Sequence, residues 1–228
     1  MRIFVVFVSL IGLLVSCGGN QEMQSANPNM EYFYPWDTVP KIYLYRDVAN
    51  GLDEQFHRVF SITDSQGEHI VVEIYTSDGR IIEALNYNID SLDLIDHMVV
   101  NRNGEKTKTE LFKHKIIPMG DEEIWFASRF QGFLDSTLIL KEIFRKEKEV
   151  DAEYLVMDEI HEAKIFADHI RMTNFNPFTK KETVTEGDAV SYFSKGLGLT
   201  EWHTDNKKAH YRLEKIMTQE EWVKIISR

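Results

Sequence analysis

Along most of this chain, apolar and polar residues alternate with the two-residue period of a half-buried strand. The segment "KIYLYRDV" (41–48) is dense in β-branched and aromatic residues. In "HIVVEIYTSDGRIIEALNYNI" the pair Asp78-Gly79 divides two apolar runs, and "HMVVNRNGEKTKTELFKHKII" repeats the device around Asn103-Gly104. Such pairs accept the positive φ of a tight hairpin turn, so each predicts two paired strands. Further strands are predicted in "EIWFASRF", "STLILKEIFRK", "AEYLVMDEIHEAKIFADHIRM" and "DAVSYFSKGLGLTEW". Runs of strands joined by short polar turns imply an antiparallel sheet rather than βαβ units. Two pieces have helical spacing. "DSLDLIDH" predicts a turn or two of helix capped by Asp90 or Ser91. "TQEEWVKIISR" sets Thr218 and Glu221 at capping-box spacing, with Trp222, Ile225 and Ile226 on one face. The fold class is therefore mainly β, with a short C-terminal helix.

The first residues follow a different pattern. Arg2 precedes an apolar run from Ile3 to Val15, interrupted by Ser9 and Gly12, and the chain's only cysteine, Cys17, follows. A basic start, a short apolar run and small residues describe a secretory signal peptide. The run falls short of the roughly 20 apolar residues that span a bilayer. Leu14-Val15-Ser16-Cys17 resembles the bacterial lipobox. That resemblance implies cleavage after residue 16, diacylglycerol on the Cys17 thiol, and a membrane anchor of two or more acyl chains, which holds stably where one does not. Gly18 stands where many inner-membrane lipoproteins carry aspartate, and no acidic cluster follows Cys17. The expected location is the outer membrane, lipid-anchored and facing the periplasm. Residues 17–29 read as the lipidated cysteine and a flexible tether, and 30–228 as one domain.

Charge narrows the partners. The chain carries 26 Lys and Arg against 37 Asp and Glu, a net charge of −11. Such acidity disfavours nucleic acid and anionic headgroups, so the membrane contact is expected through the acyl anchor. A single cysteine excludes an internal disulfide framework.

The common catalytic motifs are missing. His161-Glu162 lacks the second histidine of HExxH, and Gly196-Leu197-Gly198 lacks the third glycine of a dinucleotide loop. No metal site or cofactor is expected. The densest polar cluster is Asp90, Asp93, Asp96 and His97, which on a helical turn would converge on a cation or proton. It reads as capping and a solvated face, with an envelope hydrolase as the alternative. Asp158, His161, Asp168 and His169 read as solvent-facing strand residues, because one strand would hold the two histidines roughly 26 Å apart. "YFYPW" (32–36) reads as an arm packed over the sheet, or as a docking patch or lid.

The stretch "YFSKGLGLTEW" (192–202) resembles the closing strand of a family of uncharacterised β-rich periplasmic proteins. The match lies in Tyr192 and in Lys195 to Leu199. It implies a strongly curved antiparallel sheet or half-barrel, similar in outline to the lipoprotein carriers LolA and LolB, which hold acyl chains in a concave face. "YPWDTVPKIYLYRDV" resembles a lipoprotein group of Bacteroidota-type bacteria. That likeness implies O-glycosylation of Asp-Ser/Thr sequences, here at Thr38, Ser91 and Ser136. Strand alternation through 192–202 would put Tyr192, Gly196, Gly198 and Trp202 on one face. The paired glycines then leave either a ligand slot or room for a packed neighbour, with "TQEEWVKIISR" the natural occupant. The expected role is non-enzymatic: an apolar ligand, a lipid or an envelope protein held on the concave face.

Overall fold

The computed structural model describes residues 27–227 apart from 50, 52, 102, 103, 119, 121, 133–136 and 149–151. The leader, Cys17, most of the tether and Ser136 lie outside the described residues. A 3₁₀ turn (Met30–Tyr32) precedes β1 (Lys41–Asp47), β2 (Glu54–Asp64), β3 (Gly67–Thr76), β4 (Ile81–Asn88) and β5 (Leu94–Val100). β6 (Lys106–Lys108), β7 (Glu110–Lys113), β8 (Glu123–Gln131), β9 (Leu138–Glu147) and β10 (Ala152–Val156) follow. Then come β11 (Glu159–Asn176), β12 (Lys181–Ser194), β13 (Gly198–Thr204), β14 (His210–Thr218) and α1 (Gln219–Ile226).

All the described strands join one antiparallel sheet, ordered β6-β5-β4-β3-β2-β1-β14-β13-β12-β11-β9-β8-β7, with β10 added to β11. The two ends of that order are neighbours in sequence. β6 pairs with β5 and β7 pairs with β8, with only Thr109 between them. The Thr109 amide donates to the His97 carbonyl at 2.8 Å, and Leu94 N donates to His114 O at 2.7 Å. The 106–115 stretch is thus a seam that draws the curved sheet into a nearly closed barrel, which removes most of its free edge.

Strand direction gives the barrel two unlike ends. The β3–β4, β11–β12 and β13–β14 turns share one rim. The β2–β3 and β12–β13 turns and the N-terminal arm share the other. At this second end the arm turns inward. Phe33 and Tyr34 are buried in the main core with Tyr43, Tyr45, Tyr87, Phe166 and Phe193. The arm is pinned by Asn29 Nδ2, which donates to Pro118 O at 2.9 Å and Glu147 Oε2 at 3.1 Å. "YFYPW" is therefore largely a plug, with only Trp36 well exposed among its aromatic rings.

Outside the barrel, α1 caps a second cluster of Ile42, Leu44, Phe56, Met217 and Trp222. Thr218 and Glu221 form the expected capping box. Trp222 and Ile226 face the sheet, but Ile225 is exposed, which corrects the three-residue face.

Two local expectations are overturned. Residues 90–97 are not helical: Asn88 Oδ1 accepts from the amides of Asp90 and Ser91, both at 3.0 Å, Leu92 takes φ 58°, and β5 begins at Leu94. Side-chain competition for backbone amides favours a turn over a helix here. Residues 192–202 are not one strand either. They form a hairpin whose turn, at 195–197, carries Gly196 at φ 75° and is followed by Gly198 at φ 85°. Both glycines occupy backbone conformations that L side chains rarely adopt.

Candidate functional site

Because side chains alternate across a strand, each strand sends every second residue into the barrel. Near the plugged end these residues build a floor. Arg145 of β9 and Asp168 of β11 are directly cross-strand partners. Arg145 Nε and Nη2 donate to the two oxygens of Asp168 at 2.7 and 2.8 Å, and Nη1 donates to Ile116 O at 2.9 Å. Ser191 of β12 donates to Asp168 Oδ2 at 3.1 Å. The guanidinium lies 5.5–5.8 Å from the ring centroids of Phe126, Phe166 and Phe193. Burial opposes the Arg145 charge, but the facing Asp168 carboxylate outweighs it and raises the pKa. Asp168 is 5% exposed, so its expected place on a solvated strand face is corrected. The following residue, His169, does face outward and meets Asp188 at 2.7 Å.

Above the floor lies a cavity of about 400 Å³, lined chiefly by apolar groups including Val72, Ile74, Leu85, Ile143, Phe193 and Trp202. That volume falls within the range of about 300–1,000 Å³ typical of small-molecule pockets. Its walls also hold polar side chains that no local motif announces, among them Gln55 and His57 of β2, Glu83 of β4 and Lys141 of β9. Glu83 Oε1 pairs with Nε2 of buried His97 at 2.7 Å. Burial works against ionisation of Glu83, yet Lys141, His97 and His57 together hold its pKa down, to about 2. His57 lies with its ring centroid 4.4 Å from that of Tyr45. Burial pushes its pKa down to about 4, against a smaller opposing pull from Glu83. His57 is neutral at pH 7.

The residues singled out from sequence scatter. Trp202 lines the cavity, stacked on Tyr211 with centroids 4.7 Å apart. Tyr192 stacks at 5.0 Å on Tyr154 of β10, next to cavity-facing Phe193 and Ser191 but on the opposite side of β12. Gly196 is in the hairpin turn, its amide donating to Glu31 O at 2.8 Å. Gly198 faces the Tyr34 ring, which a Cβ there would meet at 2.5 Å. The four do not share a slot, and the close neighbour of Gly198 is the plug rather than α1.

The acidic cluster also separates. Asp93 forms an isolated backbone β-bridge with Lys115, Asp96 meets Lys108 at 3.2 Å, and His97 turns inward. Among the described residues no group of three or more His, Cys, Asp or Glu is placed to hold a metal ion. Thr38 is exposed on the arm, whereas Ser91 is half-buried with its hydroxyl 3.2 Å from Asn88 Oδ1.

No protein-family model and no curated protein matches the chain. Solved structures do resemble it. A protein of Parabacteroides distasonis, assigned as a lipoprotein, superposes with a TM-score of 0.51 at 11% identity, covering 82% of this chain and 98% of that one. A protein of Bacteroides fragilis, assigned as exported with a YmcC-like fold, gives a TM-score of 0.41 at 12% identity, covering 82% and 99%. At such identity the first likeness is one of fold alone.

Proposed function

We propose that this protein is an envelope lipoprotein, anchored through acylated Cys17 in the outer membrane and facing the periplasm, that holds a small apolar molecule inside its barrel. The observation that carries the reading is the cavity of about 400 Å³, floored by the plug and the Arg145–Asp168 pair and walled by aliphatic and aromatic side chains. A holding role rather than catalysis fits the wall chemistry. Arg145, Asp168 and Glu83 are each engaged by neighbours within the protein. The lipobox resemblance and the fold shared with a protein assigned as a lipoprotein support the anchor. Thr38, exposed behind Asp37, is better placed as a glycan acceptor than half-buried Ser91.

Native mass spectrometry of the detergent-extracted protein tests this directly. The expected spectrum shows the acyl mass on the chain and a retained small molecule, with labelled fatty acid lost in Cys17→Ser. A chain that carries no acyl group, or that never retains or takes up an apolar molecule, overturns the corresponding half of the proposal.

A further inference from the structure

The charges around the cavity are matched. Arg145 is bound bidentate to Asp168, Glu83 is paired with His97 at 2.7 Å, and the charge of Lys141 helps to hold the Glu83 pKa down. Arg145, Asp168 and Glu83 are already engaged within the protein, and burying a charged ligand group in so apolar a chamber is costly.

His57 is the exception to this matching. It lines the cavity, is 4% exposed, and neither Nδ1 nor Nε2 meets a hydrogen-bonding partner in the protein. Buried polar atoms are nearly always partnered, so an orphan in a cavity wall points to a group supplied from outside the chain. A neutral imidazole offers one donor and one acceptor, with the tautomer free to adapt. A hydroxyl answers either nitrogen, since it can both donate and accept. We propose that the cavity selects an uncharged apolar molecule bearing a hydroxyl group, and that His57 is the residue that recognises the hydroxyl. This rests on the reading of the cavity as a ligand site.

The full chain carrying Cys17→Ser, purified without detergent, is titrated with the uncharged dye phenylnaphthylamine. The dye is then displaced with decanol, decane, decanoate or decylammonium. Decanol is expected to bind at least about tenfold more tightly than either charged analogue. The ratio of decanol to decane affinity should fall roughly three- to tenfold in His57→Phe, the worth of one buried hydrogen bond. Independently of any variant, the imidazole nitrogen resonances of His57 should move on adding decanol and stay still on adding decane. An unchanged ratio with still resonances overturns the role of His57 and leaves the cavity reading standing. Tighter binding of decanoate or decylammonium overturns the uncharged head group. If neither dye nor any member of the series binds, both this inference and the cavity reading fall.

Discussion

Tyr45 and His57 are ring neighbours, both buried, yet the protein treats their polar atoms in opposite ways. Tyr45 Oη donates to Leu199 O at 2.6 Å and lies 3.4 Å from the hydroxyl of Tyr34 in the plug. His57 has no such partner. The same contrast separates the two regions they belong to. In the floor, Arg145 binds Asp168, Asp168 also accepts from Ser191, and the plug fills what space remains. In the chamber above, space is left open and one polar ring is left unanswered. The floor is built to hold the barrel together, while the chamber gives up some stability to keep a recognising group available. Such a trade is typical of functional sites.

The largest break in this comparison should come from Arg145→Met. Removing the guanidinium leaves the Asp168 carboxylate buried and unpaired, which is expected to cost about 3–5 kcal/mol in denaturant unfolding. A loss under about 1 kcal/mol would mean that the floor is not what stabilises the barrel.

Gly198→Val attacks the floor from the hairpin side. The new side chain would run into the Tyr34 ring, at a backbone φ of 85° that favours glycine. Overpacking and backbone strain together should cost about 2–4 kcal/mol and lower the melting temperature. Retained stability would show that the plug can move aside.

The third test bears on the chamber and has a distinct pH signature. The folded pKa of His57, about 4, lies below its ordinary value of 6.5, so the unfolded chain takes up the proton first as pH falls. The stability tied to neutral His57 is complete above pH 6.5 and is lost progressively towards pH 4. Between pH 6.5 and 4.5, wild type should lose about 2 kcal/mol more than His57→Phe. Below pH 4.5 both proteins should still lose the contribution of Glu83, whose folded pKa is depressed from 4.5 to about 2. Parallel melting curves for the two proteins down to pH 4.5 would show that the ring is not held neutral.

The strands were legible in the sequence where the pattern is local. Asp78-Gly79 announces the β3–β4 hairpin, and Thr218 with Glu221 announces α1. β14 carries a weak strand signal because its alternation slips beside Lys215, where the register against β1 shifts between Leu44 and Tyr45. The signal of β2 is equally weak, with Arg58 and His57 interrupting its apolar run. "YFSKGLGLTEW" reads as one strand because Leu197 and Leu199 carry the apolar pattern past its turn, and the positive φ of Gly196 and Gly198 marks the corner. Spacing of the aspartates at 90–96 mimics a helix, yet Asn88 captures the amides first. The candidate site was the least visible part. His57, Glu83, Lys141 and Arg145 sit on three strands, β2, β4 and β9, and each looks like one more polar position in an alternating run. Which face of a strand points inward is decided by the closing of the barrel, and no single segment carries that information.

The plug has one further consequence, a mechanical one. Residue 27 follows the segment that bears Cys17 in sequence, so on the proposed anchoring the plug precedes every described strand along the loaded chain. Among the described residues, Asn27, whose side-chain amide lies 3.5 Å from Ile117 O, and Asn29, held by Pro118 and Glu147, are the first side chains to take that load. Behind them, the Phe33 and Tyr34 rings are wedged edge-on against Tyr87 and Tyr43. A pull on the anchor would therefore work the plug as a latch at the base of the barrel, drawing Tyr34 away from Gly198 and from the hydroxyl of Tyr45.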